Sequence, residues 1–241
     1  MSLRRHAFVS AGLLLATVTG CGTAVTSEDA KPTTPTITTP AGRSAAPGGT
    51  PGGIPLAEAV AQLRAAEEVD RDGYDRARFK HWVDADDDAC DTRSEVLIDE
   101  AVKAVQYGEA CELTGGKWLS YYDEVTLTEA SGLDIDHMVP LEEAWASGAT
   151  GWTDERREAY ANDIGTERSL VAVTARTNRS KGGKDPVRWL PPATSGTAPT
   201  PWTGPPRNSG GDLAADDKEL AVLNNLVEDC PDATVSIKPA A

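Results

Sequence analysis

The run Leu133-Asp134-Ile135-Asp136-His137-Met138-Val139-Pro140-Leu141 sets a carboxylate directly beside an imidazole. Further along, Thr177-Asn178-Arg179-Ser180-Lys181-Gly182 places an amide on a basic turn that ends in glycine. Groups of these kinds suit the hydrolysis of a phosphodiester. That reaction needs a base to take a proton from water, a cation to stabilise charge on phosphorus-bound oxygens, and a grip on the phosphate. The chain has only three histidines, and His6 lies in a targeting segment. His137 is therefore the leading base, because a neutral imidazole is available near neutral pH. Asp136 offers a hard carboxylate oxygen and Asn178 a carbonyl oxygen, a set suited to magnesium or manganese. Lys181 is placed to pair with a phosphate oxygen. Neighbours on a strand point to opposite faces, so Asp136 and His137 share one site only where the strand ends or twists; Pro140 marks such a break.

The elements that must position these groups follow from pattern and capping. Leu56, Val60 and Leu63 recur at helical spacing and predict a helix over 56–69. Tyr74, Phe79, Trp82 and Val83 read as core contacts, with His81 structural among them. Glu95–Ile98 reads as a short β-rich run, and Lys117–Leu127 has strand character. Ile135–Leu141 reads as a strand ending at Pro140, followed by a helical turn over 141–147 closed by Gly148. Thr153, with Asp154 and Glu155 after it, caps a helix running to about Asn162. Leu170–Thr174 is a second strand, and a short helix from Arg176 to Lys181 ends at Gly182-Gly183. Asp216–Glu228 forms a last amphipathic helix. Trp145 and Trp189 read as core rather than substrate-stacking residues.

The sequence resembles the secreted HNH endonucleases of actinomycetes, related to the nuclease domain of GmrSD-type restriction proteins. The likeness rests on Cys90-Asp91-Thr92-Arg93, the Asp134–Leu141 run, Glu143-Ala144-Trp145 with Ser147-Gly148-Ala149, Ala161-Asn162-Asp163 and Leu170-Val171-Ala172-Val173. Asn178 with Lys181-Gly182 and Asp185-Pro186 with Trp189-Leu190-Pro191-Pro192 continue it in order. The resemblance implies an α+β chain with a ββα-metal (His-Me finger) core and surrounding helices. It implies His137 as general base and Asp136 and Asn178 as metal ligands. The middle member of the triad falls at Ser169, with Asn162 as the alternative. Lys181, Arg179 and Arg93 form the expected substrate-binding set, Arg93 being either a phosphate contact or the partner of Asp91 in a structural ion pair. After Pro192 the family continues with a helix carrying a cysteine, the expected partner for one at Cys230; here 193–211 is Ser, Thr, Gly and Pro instead and cannot be a helix.

Composition bounds the rest. The chain of 241 residues opens with Arg4, Arg5 and a short apolar stretch, a signal peptide over 1–21. Val18-Thr19-Gly20-Cys21 resembles a bacterial lipobox, which would make Cys21 a lipidated N-terminus and the membrane a partner. Residues 22–53 have almost no large apolar side chains and cannot order themselves, so they read as a disordered tether to one domain over 54–241. Export permits disulfides. Cys90 and Cys111 are read as a pair, and Cys230 is left over if Cys21 carries lipid. A net charge of −15 argues against indiscriminate nucleic-acid binding. The basic stretch Arg176, Arg179, Lys181, Lys184 beside the site still fits a polyanion. The expected function is an outward-facing or secreted, metal-dependent HNH endonuclease acting on DNA or also RNA, with no obligate protein partner. A surface lipoprotein of impaired catalysis that binds nucleic acid or a protein is the alternative. A peptidase is disfavoured, since neither HExxH nor GxSxG occurs.

Overall fold

A computed structural model describes residues 53–165, 169–193 and 213–236. The signal segment 1–21 with Cys21, the tether up to residue 52 and the stretch 194–211 lie outside the described residues. The elements in chain order are β1 (Gly53–Pro55), α1 (Leu56–Ala61), β2 (Arg64–Ala65), α2 (Thr92–Asp99), β3 (Lys103–Tyr107), β4 (Leu113–Leu119) and β5 (Thr126–Leu127). They continue with β6 (Leu133–His137), α3 (Leu141–Ala146), α4 (Asp154–Ala161), β7 (Leu170–Thr174), α5 (Ala175–Lys181), β8 (Ala214–Ala215), α6 (Asp217–Asp229) and β9 (Thr234–Ser236). No helix among the described residues is long and apolar enough to cross a membrane.

At the centre β6 and β7 pair antiparallel, from Leu133↔Thr174 to His137↔Leu170. Cross-strand partners share a face, so Leu133, Ile135, His137, Leu170 and Ala172 look one way. The four apolar ones pack on Val96 and Leu97 of α2 and on Trp118 of β4. Asp134, Asp136, Val171 and Val173 look the other way, and the two valines pack on Tyr122, Met138 and Trp189. α5 follows β7 directly and contacts both strands on the Asp134/Asp136 side. A second apolar cluster joins Phe79, Leu141, Trp145, Trp152 and Tyr160 around α3 and α4. A third docks α6 on α1 through Leu56, Val60 and Leu223.

Thr153 caps α4 as expected, and other starts are set by capping residues too. Asp216 and Glu219 form a capping box on α6, and Thr174 caps α5. Two expectations are corrected. The helix expected over 56–69 stops at Ala61, because Arg64–Ala65 leaves to pair in parallel with β8. The stretch around Glu95–Ile98 is helical, not β: the Asp91 carboxylate accepts from the Ser94 N–H and starts α2. The cap and the burial of Val96 and Leu97 outweigh the local β preference. Cys90 and Cys111 form a disulfide. Cys230, expected to be left over, is disulfide-bonded as well.

A carboxylate cluster joins α3 to α6. Glu143 accepts from Ser147 Oγ at 2.9 Å and from Arg71 Nη2 at 2.6 Å. Glu219 and Glu68 lie beside it, their carboxylate oxygens within 4.8 Å of one another. Burial, then the nearby carboxylates, pushes Glu143 up to about 8 against the pull of Arg71; burial pushes Glu219 up to about 7. Acids with raised folded pKa hold extra protons in the folded state, so stability falls as pH rises from the unfolded value of 4.5 through the folded values. His137, whose lowered value works the other way, opposes this only below its unfolded value of 6.5, so unfolding by denaturant should show stability dropping between pH 6.5 and 8, and Glu219→Gln, which preserves the capping box, should flatten that drop.

Candidate active site

Strand alternation runs through to the last pair of the β6–β7 ladder, so Asp136 and His137 point to opposite faces. On the α5 side, Asp136 Oδ2 accepts from the Tyr122 hydroxyl and from Lys181 Nζ. Lys181 also donates to the His137 carbonyl at 2.8 Å. Lys181 is 0% exposed and Asp136 7%. Burial pushes the Asp136 carboxyl up and the Lys181 ammonium down, and each charge works against the shift of the other. Burial, with the Asp136 charge behind it, lifts the Tyr122 phenol well above its ordinary range, so it stays a donor.

Asp134 lies on the same face, half-exposed. Its Oδ2 accepts from Asn178 Nδ2 at 3.2 Å and stands 3.7 Å from Nε of the exposed Arg179. Asp134, Asp136 and Asn178 are thus hard-oxygen groups on the facing sides of β6 and α5. The donor chemistry fits a divalent cation of the magnesium or manganese kind. Asn178 would serve with its amide turned to present oxygen. The charge of Asp136 is already met by Lys181.

On the opposite face, His137 is 5% exposed. Its Nε2 lies 2.9 Å from the Ala161 carbonyl, which can only accept, so Nε2 carries the proton and Nδ1 is the bare nitrogen. The Trp82 ring lies 5.7 Å from the imidazole and the His81 ring 6.3 Å. Burial lowers His137 to about 3; the charges of Arg76, His81 and Lys181 press the same way, and the Ala161 bond opposes. His137 is held neutral.

Asn162 organises this face. Its Nδ2 donates to the carbonyls of Lys80 and Glu158, both at 2.8 Å, and its Oδ1 accepts from Val83 N at 3.2 Å. The Thr92 hydroxyl stands 2.9 Å from both Asn162 Oδ1 and the Val83 carbonyl. One amide therefore grips the chain on either side of His81-Trp82 and, as the neighbour of Ala161, sets the carbonyl that holds His137. Asn162 thus acts as a positioning residue. Ser169 does not reach the imidazole: its hydroxyl donates to Asp163 at 3.2 Å, while its carbonyl accepts from Met138 N.

Two residues of the expected phosphate-binding set are held by the protein itself. Lys181 is buried on Asp136 and the His137 carbonyl. Arg93 spends Nη2 on the Leu133 carbonyl at 3.0 Å and the Ala130 carbonyl at 3.4 Å, and among the described residues it forms no ion pair with Asp91. Of the three basic residues, Arg179 alone remains exposed. Sequence reasoning did not bring Asp134, Tyr122, Trp82 or Arg76 to the site, and it read His81 as structural, in keeping with its Nδ1 contact to the Phe79 carbonyl at 2.7 Å. The scarcity of histidine was the one signal that pointed to His81. The neighbours of Tyr122 and Trp82 come from distant segments.

Residues 86–192 match the family described as GmrSD restriction endonucleases, C-terminal domain, which gives the chain a nuclease-family domain. An uncharacterized secreted protein of Arthroderma benhamiae is 42% identical over 154 residues, covering 62% of this chain and 74% of that protein, and the chain belongs to its family. No solved structure matches.

Two variants test these placements. Lys181→Met leaves a buried carboxylate without its counter-ion and should lower unfolding free energy by roughly 3–5 kcal/mol in denaturant titration. Asn162→Ala removes a donor–acceptor clamp and leaves the part-buried Val83 N–H unpaired, so it should cost roughly 1–3 kcal/mol by the same measurement. It should also raise amide exchange across 80–83.

Proposed function

We propose that the chain is an exported, metal-dependent endonuclease of the HNH type that hydrolyses phosphodiester bonds of DNA, with RNA as a second substrate. In this reading β6, β7 and α5 are the ββα-metal core. The observation that carries it is the neutral imidazole of His137, pinned through Nε2 with Nδ1 bare, at the end of the strand whose other face presents Asp134, Asp136 and Asn178. His137 Nδ1 takes the proton of the attacking water. Asp136 and Asn178, with Asp134, hold magnesium or manganese, which when bound polarises the phosphate and stabilises charge on the leaving oxygen. Arg179 and the exposed Arg76, within electrostatic reach of both Asp136 and His137, grip the phosphate. The match to a nuclease family supports the reaction class, and the secreted relative supports export.

Purified protein incubated with supercoiled plasmid should nick it in magnesium or manganese and fall silent in chelator. His137→Ala should slow the reaction by roughly 10²–10⁴-fold. A folded, monodisperse protein that cleaves neither DNA nor RNA would replace this reading with that of a binding protein, whose Asp136 is permanently neutralised by Lys181.

A further inference from the structure

The imidazole of His81 stands against the candidate base, and the nuclease reading leaves it without a task. Its Nδ1 is 2.7 Å from the Phe79 carbonyl, an acceptor only, so Nδ1 is the protonated nitrogen and Nε2 the one left for chemistry. The ring meets His137 edge-on, with centroids 6.3 Å apart and planes at 82°, and meets Trp82 at 5.1 Å. It is half-buried, where His137 is buried. The same amide registers both rings: Asn162 ties down Lys80 and Val83 on either side of His81, and its neighbour Ala161 supplies the carbonyl that holds His137. Two imidazoles, each fixed through one nitrogen to a backbone carbonyl and each with the other nitrogen uncommitted, form a pair held in fixed mutual geometry.

We propose that His81 is the general acid of the site, the group that hands a proton to the departing oxygen, while His137 acts as base. This rests on the nuclease reading above. His137 Nδ1 removes a proton from water as the water oxygen bonds to phosphorus. The phosphorus–oxygen bond to the departing nucleotide breaks, and its electron pair takes the proton from Nε2 of the His81 imidazolium. One proton enters the pair and one leaves it. The cycle closes when His137 releases its proton to solvent and His81 recovers one. Imidazole can both hold and give a proton near neutral pH, and loss of such an acid is felt only where the leaving group needs a proton.

Leaving-group dependence therefore tests the proposal. His81→Asn keeps an amide donor for the Phe79 carbonyl but has no proton to release. Wild type, His81→Asn, His81→Gln and His137→Ala of the full chain are compared in manganese on plasmid DNA and on bis(p-nitrophenyl) phosphate, whose phenolate departs unprotonated. Thermal midpoints are recorded to confirm folding, and His81→Gln serves if His81→Asn does not fold. The proposal expects the His81 variants to lose about 10²-fold or more on plasmid while staying within about threefold of wild type on the nitrophenyl ester. His137→Ala should be slow on both. Equal loss on both substrates, or none on plasmid, overturns the acid role and leaves the nuclease reading standing. A folded wild type inactive on both substrates overturns the nuclease reading, and the acid role with it.

Discussion

The antiparallel pairing of Leu133–His137 with Leu170–Thr174, buried on both faces, is the constraint on which the site depends. Because side chains alternate along a strand, the pairing commits Asp134 and Asp136 to one face and His137 to the other. Each face then calls for its own partners. A carboxylate in the interior must be neutralised and hydrogen-bonded, and Lys181 and Tyr122 do this for Asp136. An imidazole in the interior stays neutral and needs a fixed tautomer, and the Ala161 carbonyl supplies it. Both arrangements converge on the last pair of the ladder, where strand pairing ends and Met138 follows.

The segments around the ladder serve the two faces separately. α5 brings Asn178, Arg179 and Lys181 to the carboxylate face from a start fixed by the Thr174 cap. α4 ends at Asn162, whose amide draws in the His81-Trp82 segment and the start of α2. The Cys90–Cys111 disulfide ties the residue before the Asp91 cap to the β3–β4 connection, so the face that carries His137 is covalently braced. The Glu143–Glu219 cluster lies apart from both and joins α3 to the C-terminal helix.

Elements governed by local chemistry were legible in the sequence. Alternation marked Leu170–Thr174, and Thr153 and Asp216 marked the starts of α4 and α6. The Asp136-His137 dipeptide and Asn178 drew attention through residue type alone. What stayed hidden was set by partners remote in sequence. Val96, Leu97 and Ile98 look like a strand until Asp91 caps their helix and Val96 and Leu97 pack against β6 and β7. Lys181 looks like a phosphate ligand because nothing near it in sequence reveals Asp136 as its buried partner. Asn162 looks like a helix end or a triad member, and only the fold shows its amide gripping two other segments. That His81 stands beside His137 is likewise set by the fold alone.

The central claim is a division of labour across one strand, with a cation on the face of Asp134, Asp136 and Asn178 and proton transfer on the face of His137. Calorimetric titration of manganese into wild type, Asn178→Ala and His137→Ala tests it most directly. The account predicts a single site that Asn178→Ala abolishes and His137→Ala preserves. Binding that survives Asn178→Ala, or that is lost in a folded His137→Ala, would contradict it.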